Sequence, residues 1–268
     1  MRTLRQVIYE QVAYRKQILK LAQADIVNKY SGTLLGWAWA IIRPSTFVAV
    51  YYMGFSLGLR TGAPVNGYSY FLWFIAGMIP WFFIRDAFAE GAASIRKYRY
   101  LVTKIKFPLS IIPTIECTSL LLVNLVLIFI MFIIFIFSGA SPDKYWLQIP
   151  IYIFCMFIFF VSWSLFSSIL SCLSKDFLQM VKSITIALLW LSGIFFEPAN
   201  VTNKVFAIVL RLNPITFIIS GFRNSLIYKK WIWEDPMSII IFLIMYMIMT
   251  YISLKVYKKM KNDIPDFL

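Results

Sequence analysis

The sequence predicts an all-α, polytopic membrane protein, and three observations carry that prediction. Hydrophobic residues make up 60% of the 268 and charged residues 14%, and the mean hydropathy is +0.76. Soluble domains carry about 45–50% apolar and about 25% charged residues. Apolar runs of membrane-crossing length recur along the whole chain. The net charge of +14 falls in short clusters beside those runs, which is the positive-inside pattern and not a nucleic-acid-binding stripe.

Residues 1–30 place Leu4, Val7, Ile8, Val12, Ile18 and Leu19 among Arg5, Arg15, Lys16 and Lys20. That imperfect helical periodicity predicts one amphipathic helix lying in the cytoplasmic interface near anionic lipid. Met1–Lys20 lacks a compact apolar core before a small-residue cleavage site, so no signal peptide is expected.

Residues 31–268 then read as one transmembrane domain with six spans. These are Leu34–Leu59 (broken at Arg43-Pro44), Tyr68–Ala89, Phe107–Phe137, Leu147–Leu173, Ser183–Phe196 and Met237–Leu254. The fifth is short as drawn and is expected to start nearer Phe177. An even span count puts both termini on one side. The segments that would share that side hold 17 Lys and Arg residues against 7 opposite, so both termini are expected in the cytoplasm.

Between spans five and six, residues 199–227 carry two apolar pieces, Val205–Leu212 and Ile215–Ile227, split by Asn213-Pro214. Each is too short to cross hydrocarbon, and Pro214 disfavours helix at Asn213. A re-entrant pair of half-helices dipping in from the outer face is the predicted arrangement, since irregular backbone at that depth needs protein or a wet cavity around it.

Charges inside spans are candidate functional groups. Arg85, Asp86 and Glu90 sit near the cytoplasmic end of span two, where a structural ion network is the preferred reading over acid–base chemistry. Glu116 lies about a quarter of the way into span three, either neutral or paired across a subunit interface. Glu197-Pro198 closes span five. The chain has no His, and Cys117, Cys155 and Cys172 lack metal-type spacing, so they read as small buried hydrophobes. It contains no GxxxxGK[ST], HExxH or GxSxG motif. Uphill transport driven by ATP would therefore need another chain to bind the nucleotide.

Aromatics reach 18%, more than interfacial belts require. Tyr51 and Tyr52 in mid-span, with Trp163, Trp190, Phe195 and Phe196 near helix contacts, offer planes on which the C–H faces of sugars could stack, with ordinary helix packing the alternative for any one of them.

Five ordered motifs then show a resemblance. They are Tyr30-Ser-Gly-Thr-Leu-Leu-Gly-Trp-Ala-Trp39, Gly77-Met-Ile-Pro-Trp-Phe-Phe83, Lys104-Ile-Lys-Phe-Pro108, Gly193-Ile-Phe-Phe-Glu-Pro198, and Asn213-Pro-Ile-Thr-Phe217 followed by Phe222-Arg223. Over essentially its full length the chain resembles the permease subunit of ABC-2-type exporters of cell-surface polysaccharides, the group handling teichoic acid, O-antigen and capsule polymers.

The resemblance implies a homodimer in the bacterial cytoplasmic membrane, joined to two ATP-binding cassette subunits that hold ATP and Mg, with no cofactor on this chain. It implies ATPase contacts through residues 4–21 and the coupling loop 94–106, with Ser94, Arg96, Lys97, Arg99 and Lys104 as its polar set. It assigns the re-entrant pair to an outer gate, here Glu197, Pro198, Asn213, Pro214 and Arg223. The cargo in that family is a polymer on undecaprenyl diphosphate, so a path of Lys29, Trp37, Trp39, Arg43, Tyr51, Tyr52, Trp190, Phe195 and Phe196 is expected. The chain stops soon after the last span, so any glycan-cap-recognising domain is expected on the partner.

Two alternatives stand beside this reading. One is an ABC-2 exporter of small drugs or lipids. The other is a membrane transferase of polyprenyl substrates, for which Glu10, Asp25, Asp176, Asp263 and Asp266 are scattered and form no DxD or DDxxD. A proton-coupled transporter or channel is disfavoured by sparse acidic residues and no evident inverted repeat.

Lys29 and Arg43 flank the Leu-Gly-Trp-Ala-Trp segment and are the expected contacts of the diphosphate. Replacing both with Gln is expected to weaken export, read as surface polymer, while assembly with the ATPase persists. Unchanged export would refute the assignment.

Overall fold

The computed structural model describes residues 2–54, 65–104 and 107–268. Helices α1 (Arg2–Ala13) and α2 (Arg15–Tyr30) are followed by α3 (Trp39–Met53), α4 (Tyr70–Lys97) and α5 (Arg99–Lys104). Then come α6 (Ile112–Phe137), α7 (Ile149–Leu173), α8 (Lys175–Trp190), α9 (Lys204–Leu212) and α10 (Pro214–Arg223). The chain closes with α11 (Pro236–Met260) and α12 (Ile264–Phe267). Apart from one isolated bridge, Val65 to Tyr68, the regular structure among the described residues is helical.

Polar side chains placed before apolar runs start the helices. Ser69 accepts from Leu72 N–H, Ser174 from Phe177 N–H, Asn203 from Phe206 N–H and Asp235 from Ser238 N–H. Each satisfies a backbone donor that a helix start leaves open.

Helix α4 is the centre of the bundle, packed by α6, α7, α8 and α10. Trp73, Phe74, Met78, Trp81, Phe83 and Ile84 along it are all buried. Pro80 interrupts its ladder, and beside it Asn124 of α6 donates to the Ile79 carbonyl at 2.8 Å. Lower down, α7 approaches closely through buried Ser164, Ser167, Ser168 and Ser171. Small residues allow such approach where packing, not water, drives helix association.

Four stretches are long and apolar enough to cross a membrane: Tyr70–Lys104, Leu109–Phe137, Lys144–Leu173 and Pro236–Met260. The pair Lys204–Leu212 and Pro214–Tyr228, bent by 85°, adds a fifth if it counts as one span. The first and fifth expected spans appear as α3 and α8, of 15 and 16 residues. At 1.5 Å per residue, 16 residues give about 24 Å, short of the ~30 Å hydrocarbon core.

Several expectations need correction. The N-terminal helix is two helices, jointed at Tyr14 (φ −100°, ψ 12°), whose ring meets Phe107 edge-on at 5.9 Å. Pro44 does not break the first span. It lies in the second turn of α3, where it removes one ladder bond and clashes with one carbonyl, and the helix continues through it to Met53. Residues 55–59 of that span lie outside the described residues, as do 105 and 106 of the coupling loop. Helix α4 runs eight residues beyond the Ala89 expected as the end of span two, and 94–104 is helical on either side of Tyr98, as the cytoplasmic helix expected there would be. Gly91, Ala92, Ser94 and Ile95 of α4 pack inward and hold the turns together. Helix α8 starts at Lys175 and ends at Trp190, leaving 191–196 unwound.

A Cβ added at Gly91 would come 2.1 Å from Ser164 Oγ, so Gly91 sets the α4–α7 distance. Gly91→Ala is expected to lower the melting temperature of the detergent-solubilised protein, and Ser164→Gly in the same chain to restore part of the loss. A Gly91→Ala protein as stable as the parent would contradict this packing.

Candidate functional site

The unwound segment after α8 presents carbonyls in a setting where unpaired ones are costly. Gly193 turns the backbone there with φ +70°, and a Cβ on it would meet Pro198 Cγ at 2.8 Å. Three donors come from α10 and its start. Asn213 Nδ2 donates to Leu191 O at 2.8 Å, Arg223 Nη1 to Gly193 O at 2.7 Å and Arg223 Nη2 to Ile194 O at 2.6 Å. Asn213 also caps α10, its side-chain oxygen accepting from Ile215 N–H at 2.9 Å. Pro214 occupies the first helical position, where a missing N–H costs nothing.

Arg223 is 1% exposed, and its guanidinium carbon sits 3.5 Å from the centroid of the Trp73 ring. A planar, weakly hydrated cation stacked on an aromatic face suits that burial. Gly77 makes room for it, since a Cβ there would lie 2.7 Å from Arg223 Nη2. Beside it, Trp73 Nε1 donates to the Tyr228 hydroxyl at 2.9 Å, which donates to Glu197 Oε2 at 2.5 Å. The five residues expected at the outer end are therefore brought together around one clamp. Trp73 and Tyr228 were not foreseen, because an aromatic in an apolar run gives no sign of which neighbour it serves.

An aromatic row runs from the clamp along α3. Trp190 meets Phe195 (4.8 Å), Phe195 stacks on Tyr51 (5.3 Å), Tyr51 on Phe47 (4.4 Å), and Phe47 meets Phe82 (5.9 Å). Trp190 is half-exposed. Tyr51, Trp190 and Phe195 thus join as expected, and Phe47 and Phe82 extend the row. Tyr52 turns away to Phe71 (5.1 Å), and Phe196 to Phe206 (5.7 Å). Trp37 stacks on Tyr30 at 5.5 Å, and Arg43 lies over Trp39 at 5.5 Å.

Near the other end, a cavity of about 110 Å³ is lined by Lys29, Trp39, Arg43, Arg85, Asp86 and Glu90, among others. Lys29 pairs with Glu90 at 2.9 Å and Arg85 with Asp86 at 2.7 Å. Burial works against the Lys29 ammonium, but Glu90, with Asp86 and Tyr30 adding to it, more than offsets this and raises its pKa above the ordinary lysine value.

The residues expected to form the coupling patch divide. Ser94 is buried, and Arg96 donates to Cys172 O at 3.3 Å. Lys97 reaches Asp25 at 2.7 Å and the fully buried Glu116 at 2.8 Å, with Ser119 donating to Asp25 at 3.0 Å. Helices α2, α4 and α6 are tied there, and Glu116 finds its partner within the chain. Arg99 and Lys104 remain exposed. Among the described residues, no group of three or more His, Cys, Asp or Glu is placed to hold a metal ion.

Arg223→Met would strip donors from two buried carbonyls, at about 1–3 kcal/mol each. Thermal unfolding in detergent should show a large loss of stability, and Arg223→Lys should recover only part, because an ammonium cannot fork across two acceptors. A methionine variant of parental stability would contradict the clamp.

Residues 16–227 match the family model of the ABC-2 type transporter. The chain is 25% identical over 256 residues to an O-antigen export system permease protein RfbA of Klebsiella pneumoniae, covering 94% of both chains. It is 20% identical over 218 residues to the protein of that name from Myxococcus xanthus, covering 81% of this chain and 82% of the other.

Proposed function

The chain belongs to the ABC-2 type transporter family, and from that premise we propose that it is the permease subunit of an ATP-driven exporter of cell-surface polysaccharide in the bacterial cytoplasmic membrane. In this reading α3, α4, α6, α7, α8 and α11 are the six spans, with both termini cytoplasmic. Helices α9 and α10 are the re-entrant pair at the outer face. ATP and Mg belong to separate ATP-binding subunits, and two permease copies enclose the path.

The observation that carries the reading is the aromatic row in which half-exposed Trp190 and partly exposed Tyr51 and Phe47 are backed by buried Phe195 and Phe82, lying between the cation-lined cavity and the clamp. Sugar rings present C–H faces that slide over aromatic planes without a fixed register, as a moving polymer requires. Val50 and Met53 of α3 and Ile184 and Ile186 of α8 are apolar and exposed on helices bordering that row, where a second copy would cover them. Lys29 and Arg43 would meet the diphosphate of a lipid-linked chain. Exposed Arg99 and Lys104 on α5, together with α1, would meet the ATPases. The Lys97–Asp25–Glu116 tie would pass their movement to α2 and α6 as a rigid-body shift.

Purification from native membranes in mild detergent should yield a stoichiometric partner with ATPase activity, identified by mass spectrometry. A solitary, ATP-inert protein would overturn the proposal. Trp190→Ala with Tyr51→Ala should cut surface polymer at least several-fold at unchanged permease level. Full export by that variant would remove the aromatic path.

A further inference from the structure

We propose a second polar site, a neutral-saccharide subsite in the cavity formed by α9, α10, the turn after Tyr228 and the start of α11. It rests on the export reading above, which places this cavity at the outer face, beyond the clamp. The cavity measures about 590 Å³, within the range of small-molecule sites and far beyond what an ion needs.

Thr216 lines it from α10 and is 6% exposed, yet its hydroxyl has no hydrogen-bond partner among the described residues. A buried, unpaired hydroxyl costs stability unless something else completes it. The surrounding groups fit a ligand rich in hydroxyls. Glu234 uses only Oε1, to accept Trp231 N–H at 2.8 Å, while Asp235 caps α11 with both oxygens on Ser238 and lies 3.9 Å from Arg211, each oxygen having a further lone pair. Carboxylates so anchored keep lone pairs for ligand hydroxyls. Trp231, held against Trp233 at 4.5 Å and Tyr145 at 4.9 Å, adds ring surface to the same wall.

Charge decides between ligand classes. Glu197, Glu234 and Asp235 face Arg211 and Lys230 across the lining, so the wall does not favour an anion. Its polar groups do not suit a lipid tail. A neutral sugar ring matches both the carboxylate acceptors and the indole face. Glu197 serves the clamp as well, through Tyr228, so a sugar held here sits directly against the gate.

The test uses the full-length permease in nanodiscs, with neutral oligosaccharides released from the surface polymer of the organism that supplies the chain. Tryptophan fluorescence follows binding, and thermal unfolding follows folding. Saturable binding is expected, weakened about fivefold by Thr216→Val, the loss of one hydrogen bond. The same variant should melt no lower than the parent, because valine removes an unpaired polar atom; a purely structural threonine would instead melt lower with binding unchanged. Absence of binding, or binding as tight as the parent's in both Thr216→Val and Trp231→Leu, overturns the site. An ATPase that co-purifies with a permease unable to bind saccharide would refute the subsite alone and leave the export reading in place.

Discussion

The guanidinium of Arg223 needs acceptors inside the bundle, and the carbonyls freed where α8 unwinds need donors. Each requirement is met by the other, at 2.7 and 2.6 Å, with the Trp73 ring under the cation. The pairing fixes much around it. Gly77 must lack a side chain, Gly193 must turn with positive φ, and α10 must reach far enough to deliver the arginine. Asn213 adds the third bond and starts α10 in the same stroke. A non-helical stretch is thereby tolerated within a protein of membrane-spanning helices, and the bent pair α9–α10 is fastened to the central helix α4.

The opposite end is held by a different chemistry. Lys97 draws Asp25 of α2 and Glu116 of α6 onto α4, and Glu90 of α4 takes Lys29 of α2. Asp25 and Glu116 are buried while Lys97 stays partly exposed, so removing Lys97 would leave two buried carboxylates uncompensated. Helix α2 is thus bound into the bundle, while α1 keeps Leu4, Ile8 and Val12 exposed. Helix α4 carries Glu90 and Lys97 in these ion pairs and also Trp73 and Gly77 at the clamp. The two ends of the molecule share one helix.

Much of this architecture is legible in the residues. The long helices α4, α6, α7 and α11 follow from apolar runs of the right length, and the break at Asn213-Pro214 follows from proline chemistry. That Glu197, Asn213 and Arg223 belong together is what the family resemblance implies, not something their spacing shows. Other features are hidden for a physical reason. Arg223 binds backbone carbonyls, and a sequence does not display which carbonyls a helix end will leave open. Lys97 looked like a solvated charge in a basic patch, because nothing local signals a partner 72 positions earlier or 19 later. Tyr51 and Tyr52 are adjacent and chemically alike, yet a helix turns neighbours about 100° apart, so one joins the aromatic row and the other does not.

Hydrogen–deuterium exchange on the permease assembled with its proposed ATPase, compared with and without ATP, tests most directly whether the clamp is the outer gate that the family resemblance implies. The account predicts slow exchange across residues 191–198 and 213–228 at rest and faster exchange in both during turnover, as Arg223 and Asn213 release their carbonyls together. Exchange in these segments that is the same in both states would contradict a clamp that opens to pass polymer.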